Sequence, residues 1–318
     1  MSGADWRPAA SRQTLRERAR LLAAIRQFFQ ARGVLEVETP LFSRAAATDP
    51  HLHSATATLL GETVYAQTSP EHHMKRLLAA GHGDVFQLFR AVRDGEAGRW
   101  HNPEFTLLEW YRTGFDHHAL MAELVELVLS LHPGEDEPAV DKITYRDLFR
   151  RELDVDPLED DVPALAAAAG RAGFSVEGEL DRDAWLDLLM SHALQPRRPA
   201  HTLTLVYDYP ASQAALARLN PDGRTAARFE LFWGPVELAN GYWELTDPAE
   251  QRQRFAADNA RRARLGLPAM PVDEHLLAAL EAGLPDCAGV ALGIDRLLAC
   301  QLGLEAIEGV LTFPFARA

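Results

Sequence analysis

The chain has 318 residues, 47% hydrophobic and 25% charged, a globular composition with length enough for a large core, which excludes a disordered chain. No window approaches the roughly 18 apolar residues of a membrane span, and residues 1–11 carry no apolar signal-peptide core, so no membrane is expected and a cytoplasmic protein is the simplest reading. The net charge of -14 argues against a large nucleic-acid footprint and suits a basic partner or a cationic substrate.

Residues 12–32 read as a helix, with Leu15, Leu22, Ile25 and Phe29 at helical spacing and Gly33 placed to end it. Residues 34–39 then alternate like a strand that Pro40 stops. A short strand over 64–67 leads to Thr68-Ser69-Pro70-Glu71, which opens a helix through Met74, Leu77 and Leu78. Ser69 suits the N-cap and Pro70 the first helical position. Glu71 in the first turn complements the helix dipole, so a purely structural role is open to it.

The densest stretch runs from Arg93 to Tyr111. A strand over 85–90 leads into a Gly-bearing loop and then a second apolar run over 105–111, a strand-loop-strand pattern with His101-Asn102-Pro103-Glu104 at the second hinge. Arg93 and Arg99 suit an anion clamp, since guanidinium forks onto phosphate oxygens. Phe105, at the base of the loop, offers a flat ring to a flat base. Taken alone, the pattern equally fits an ordinary hairpin with solvated arginines. A helix over 115–131 follows, then the acidic, breaker-rich link 132–138. Residues 145–194 look helical in pieces, clearest at 164–169 and 185–193, and carry no recognisable chemistry; 203–209 returns to strand character.

Residues 229–246 form a second dense stretch in which Glu230, Glu237 and Glu244 lie seven apart. Gly234-Pro235 divides it, so a hairpin can bring Glu230 opposite Glu237 on one face. Two facing carboxylates in an apolar setting are costly unless a cation joins them, and Mg²⁺ between carboxylates and nucleotide phosphates is the natural candidate. Solvated strand glutamates are the bland alternative. Asp247-Pro248-Ala249-Glu250 is a capping box opening a helix that Gly266 ends. Its arginines, Arg252, Arg254, Arg261, Arg262 and Arg264, are read as a solvated face rather than a nucleic-acid face. Finally, residues 289–296 join a strand to a helix, with Gly293 at the junction and Arg296 in the helix's first turn. Cys287 and Cys300 make neither a metal set nor a disulfide framework.

The Arg93 stretch resembles motif 2 of the class II aminoacyl-tRNA synthetases in its lysyl version. The helix and strand over 12–40 match motif 1, and Gly289–Arg296 matches motif 3, so the resemblance spans nearly the whole chain. It implies an α/β fold with a six- or seven-stranded, mainly antiparallel sheet flanked by helices, and a homodimer built on motif 1. It implies ATP and Mg²⁺ as cofactors, Mg²⁺ on Glu230 and Glu237, and ATP on Arg93, Asn102, Phe105, Glu237, Leu238, Gly293 and Arg296, with Arg93 and Arg296 catalytic. It implies an amino-acid pocket made by Ser69, Pro70, Glu71, Tyr111 and Glu244, with Tyr111 and Glu244 on the side-chain ammonium. Arg12 starts the first helix too early for an anticodon-binding OB barrel ahead of it.

A single catalytic domain over 1–318, with a helical insertion at about 133–200, is therefore expected. That layout is similar to the elongation factor P lysine ligase family. The resemblance then implies activation of (R)-β-lysine or lysine and transfer to a lysine of elongation factor P, with no tRNA. The alternatives are a free-standing lysyl transferase acting on tRNA or a small molecule, and a non-enzymatic regulatory paralogue. Two positions depart from the synthetase pattern. Gly95 stands where motif 2 usually has the glutamate that meets adenine, with Glu96 beside it as a substitute, and Ala291 stands where synthetases carry glycine.

Overall fold

The computed structural model describes residues 6–134, 136–176 and 178–318 and divides into two compact units, one of residues 1–114 with 246–318 and the other of 115–245. In chain order, the first unit begins with α1 (Arg12–Gln30), β1 (Leu35–Glu36), β2 (Phe42–Ser43), β3 (Thr56–Leu59), β4 (Glu62–Ala66), α2 (Glu71–Ala79), β5 (Val85–Val92) and β6 (Glu104–Thr113). The second unit holds α3 (His117–Ser130), β7 (Ala139–Thr144), α4 (Tyr145–Leu153), α5 (Val162–Arg171), α6 (Arg182–Leu188), β8 (Thr202–Pro210), β9 (Thr225–Trp233) and β10 (Val236–Trp243). The chain then completes the first unit with α7 (Pro248–Arg264), α8 (Glu274–Gly283), β11 (Cys287–Gly293) and α9 (Ile294–Gln301).

In the first unit the strand order is β1-β5-β6-β11, with β5, β6 and β11 antiparallel and β1 added parallel to β5. Ser11 caps α1 by accepting from Thr14 N. Phe29 of α1 stacks on Phe86 of β5 at 4.5 Å and leans on Trp110 of β6 at 5.3 Å. Strand side chains alternate between faces. The helix therefore covers the even-numbered face of β5 and β6 and leaves the odd-numbered face for other work. The helix buries Leu21 and Ile25, while Leu22 is only half-buried. The expected strand over 34–39 shrinks to Leu35–Glu36.

In the second unit the order is β10-β9-β8-β7, again antiparallel apart from the last pair, β7 with β8. The helices α4, α5 and α6 pack through Tyr145, Phe149, Leu165, Trp185 and Leu186 onto Val206 and Phe232 of the sheet. The expected helical segment is thus present, though it is preceded by β7, and α6 widens into a π-helical turn at Leu189–Leu194.

The connection after α4 is held by Asp156, whose carboxylate accepts from Arg146 Nε at 3.0 Å, Arg146 Nη2 at 2.6 Å, Arg150 Nη2 at 2.5 Å and Leu158 N at 3.1 Å. Burial alone would raise this carboxyl, but the hydrogen bonds and charges of the two arginines outweigh it and hold it down to about 2. A depressed folded value stabilises the fold fully above the ordinary 3.8 and is lost as pH falls towards about 2. Asp156→Asn is therefore expected to lower Tm clearly at pH 7 and hardly at all near pH 2. An equal Tm gap at both pH values would show that the carboxylate's charge contributes nothing.

Candidate active site

The odd-numbered face of β5, β6 and β11 carries Phe105, Tyr111 and Gly293 of the predicted site residues. Register pairs Gln87 with Glu109 and Glu109 with Ala291, and it pairs Tyr111 with Gly289 and Leu107 with Gly293. Phe105 lies on the same face, packed with Phe89, Ala91, Leu107 and Ala291. Arg93, just past β5, sets its guanidinium carbon 5.0 Å from the centre of the Phe105 ring. It reaches Glu96 Oε1 at 3.6 Å and donates weakly to Thr68 O at 3.4 Å. The loop begins with Arg93 N donating to Pro103 O at 2.8 Å, and Gly95 sits at φ 80°, where glycine is at ease. Arg99 does not join Arg93. It turns away to the side chain and carbonyl of Glu305, which removes the expected two-arginine clamp.

Motif 3 is tied to motif 2 by buried polar contacts. Asp295 Oδ1 accepts from Arg18 Nη1 at 2.6 Å and Oδ2 from Thr106 N at 2.9 Å, while Arg18 Nη2 donates to Thr106 Oγ1 at 2.7 Å. The aspartate of the Gly-Ile-Asp-Arg run is therefore a brace joining α1, β6 and α9. One residue on, Arg296 sits in the first turn of α9, as expected. It donates to Trp100 O at 3.1 Å and to His101 Nε2 at 2.7 Å, so His101 carries its proton on Nδ1. Gly293 is the N-cap of α9 at φ -74°, an angle any residue adopts. Asn102 is engaged at both ends of its amide, donating to Glu104 O at 2.6 Å and accepting from Phe315 N at 2.9 Å. It fastens the motif 2 loop to the chain's last residues.

Helix α2 starts one residue later than expected. Pro70 is its N-cap, and Ser69 Oγ accepts from Glu71 N at 3.3 Å instead of capping it. The Glu71 carboxylate accepts from the buried Lys75 Nζ at 2.6 Å. Tyr111 is buried and donates its hydroxyl to Glu109 Oε1 at 2.7 Å. Glu109 itself is only 2% exposed, and reading 105–111 as a plain apolar run passes over it. The signal was available, because the alternation that places Phe105 and Tyr111 together also places Glu109 between them.

In the second unit, the β9–β10 hairpin forms with its turn at Gly234-Pro235, but the register differs from the expected one. Glu230 pairs with Asn240 and Glu237 with Phe232, and a bulge leaves Leu238 outside the ladder. Both glutamates still share a face, because Glu230 and Phe232 are two apart on β9. Burial, reinforced by the nearby charge of Glu237, raises the Glu230 carboxyl above the ordinary range against the opposing pull of Arg228. Arg228 Nη2 donates to Glu230 at 2.5 Å and its Nη1 to Gln213 O at 2.8 Å, with the guanidinium 4.4 Å from the Tyr209 ring. Among the described residues no cluster of three or more His, Cys, Asp or Glu could hold a metal. Two carboxylates with the Asn240 amide still fit Mg²⁺, which takes one or two protein carboxylates and draws its other oxygens from phosphates and water. Glu244, 1% exposed, is fixed by a bridge between its backbone and Ala217 and by Arg218 Nε donating to its carbonyl at 3.0 Å.

The arginines of α7 are not one solvated face. Arg262 is fully buried and donates to Pro268 O at 2.7 Å and Asp49 O at 3.0 Å, while Arg252 pairs with Glu274 and Arg254 with Glu250. Asp247 caps the helix through Ala249 N and Glu250 N, and Glu250 turns to Arg254, so the capping box is half made. Burial pushes the Cys300 thiol up to about 12, which makes it a poor nucleophile.

The family model for class II tRNA synthetases (D, K and N) matches residues 2–317. The chain is 52% identical to the elongation factor P--(R)-beta-lysine ligase of Vibrio cholerae, with 100% of both chains covered. It is 51% identical to that of Vibrio parahaemolyticus and 47% identical to that of Salmonella arizonae, with 99% of both chains covered in each case. The ordered motifs, the brace that joins them and these full-length similarities agree: the chain belongs to the class II tRNA synthetase (D, K and N) family, alongside relatives that are elongation factor P--(R)-beta-lysine ligases.

Proposed function

We propose that the chain activates (R)-β-lysine, or lysine, with ATP and transfers it to a lysine side chain of elongation factor P. The observation that carries this reading is the buried Glu109 carboxylate, bound by Tyr111 on the same face as Arg93 and Phe105. A buried carboxylate with a phenol beside it gives a lysine-type ammonium an anionic end to its pocket, beside an arginine and a ring suited to a nucleotide.

In the first step a carboxylate oxygen of the amino acid attacks the α-phosphorus of ATP, forming the mixed anhydride as pyrophosphate leaves. Arg93 and Arg296 are assigned to the phosphate oxygens, where fixed guanidinium groups offset the charge that develops in transfer. Phe105 stacks on adenine, and Asn102, Leu238 and Gly293 border the nucleotide. Glu230 and Glu237, with Asn240, are assigned to Mg²⁺, which when bound neutralises phosphate charge. Glu109, Tyr111 and Glu244 take the side-chain ammonium. Ser69, Pro70 and Glu71 take the second amine, with Lys75 orienting Glu71. In the second step the acceptor's ε-amine attacks the anhydride carbonyl, an amide forms, and AMP leaves with the bonding electrons while the amine loses a proton. Positioning carries both steps, and no protein nucleophile is required.

The two units work as one catalytic domain in this reading, and the protein acts as a homodimer. Exposed Leu35, Leu41 and Phe42, in and just after the motif 1 strand, support the dimer. A protein acceptor, not tRNA, is supported by the relatives being elongation factor P--(R)-beta-lysine ligases, by the net charge of -14 and by Ala291 beside Glu109. Offered purified elongation factor P and purified tRNA in parallel, with labelled (R)-β-lysine or lysine, the chain is expected to label the factor alone. Label on tRNA with none on the factor would replace this reading with a free-standing lysyl transferase.

A further inference from the structure

Gln87 lies in the middle of β5, in register with Glu109 and on the same face. It is 4% exposed, and its buried Oε1 has no hydrogen-bond partner among the described residues. A buried amide oxygen left without a donor is costly, of the order of a lost hydrogen bond. Directly opposed strand residues hold their Cβ atoms about 5 Å apart, so the amide and the Glu109 carboxylate are immediate neighbours. An ionised carboxylate only accepts hydrogen bonds. The neighbour that could have satisfied Gln87 therefore supplies no donor, and the next residue in the row, Ala291, has no polar side chain.

The amide oxygen of Gln87, left without a donor on this buried face, calls for a donor-bearing ligand. An ammonium group fits, since it carries several N–H donors and one positive charge. Resting on the function proposed above, we propose that Gln87 is a further substrate-binding residue. Its amide oxygen accepts from the ammonium that Glu109 neutralises, and it sets that group's orientation without adding charge. A second carboxylate at the same place would repel Glu109 and raise one of the two pKa values. A neutral amide gives the hydrogen bond without that coupling.

The test is calorimetric binding of lysine and of (R)-β-lysine to the full-length chain, together with pyrophosphate-exchange kinetics, for wild type, Gln87→Met and Gln87→Glu. Gln87→Met keeps the length and removes the acceptor. It is expected to weaken amino-acid binding and raise the amino-acid KM by about ten- to a hundredfold, the value of one hydrogen bond to a charged donor. The KM for ATP should hold, and Tm should stay or rise, because a buried orphan has been removed. Gln87→Glu should recover most of the binding and make it depend on pH below neutrality, which the wild type should not show. Wild-type affinity in Gln87→Met would overturn the inference. So would a fall in Tm with both KM values worsening together, the mark of a packing role. If Gln87→Met fails to fold, Gln87→Glu decides: binding with the wild-type pH profile overturns the inference. Failure of the wild type to bind either amino acid would overturn the proposed function, and this inference with it; loss of the Gln87 effect alone leaves that function standing.

Discussion

Glu109→Gln is expected to lower kcat/KM for lysine-dependent pyrophosphate exchange by a factor of hundreds to a few thousand. The substitution keeps the shape of the side chain and leaves an oxygen to accept from the Tyr111 hydroxyl, now at 2.7 Å from the carboxylate. Only the charge is removed. At 2% exposure the site has little water to take over the task of neutralising an ammonium. Breaking a buried ion pair by removing one partner costs roughly 3–5 kcal/mol, which at about 1.4 kcal/mol per decade gives the stated factor. Glu244→Ala should cost a similar amount, since Glu244 is as deeply buried. The loss should fall on the amino acid, while the KM for ATP stays within a few fold. Tyr111→Phe should be milder, about tenfold, because it deletes one hydrogen bond to a charged group. Exchange within a few fold of wild type in Glu109→Gln would remove the carboxylate from the pocket and leave a structural role for it.

The parts of this fold that could be read in advance are those where local chemistry acts alone. Asp247 caps α7 where the Asp-Pro-Ala-Glu run places it. The motif 2 hairpin forms because two β-rich runs flank a loop with glycine at positive φ. What escaped was decided by pairing. β7 is short and carries Asp141 and Lys142, and it exists because β8 offers it an edge. The two-residue turn at Gly234-Pro235 sets Glu237 opposite Phe232, and the bulge at Leu238 then puts Asn240 in place of Ala239 across from Glu230, so Asn240 joins the candidate metal set although its spacing gave no hint. Arg262 belongs to a charged helix by composition, yet it is buried and held by the carbonyls of Pro268, just past the helix, and of Asp49, far away in the chain. Glu109 and Gln87 escaped for a different reason. Each is a single polar residue in an apolar strand, and its meaning appears only once the opposite face is known to be covered by Phe29 of α1.

Arg93→Ala is expected to lower kcat for exchange by about a hundred- to a thousandfold, the usual effect of deleting one donor aimed at charge that develops in the transition state. The fold should tolerate the change. Arg93 is half-buried, and its own contacts are loose, 3.6 Å to Glu96 and 3.4 Å to Thr68 O. Those weak contacts suit a group that must trade its partners for phosphate oxygens. Arg93→Lys should recover little, because an ammonium is a point charge and cannot reproduce the planar fork or lie over the Phe105 ring in the same way. Glu96 gives the control. Its carboxylate faces Arg93, so Glu96→Ala should release the guanidinium and lower the KM for ATP. A higher KM would instead assign Glu96 the adenine contact that Gly95 cannot make. If Arg93→Ala keeps kcat within tenfold of wild type while its Tm is unchanged, the phosphate oxygens are held elsewhere. Arg296, now spent on Trp100 O and His101 Nε2, is then the residue to replace next.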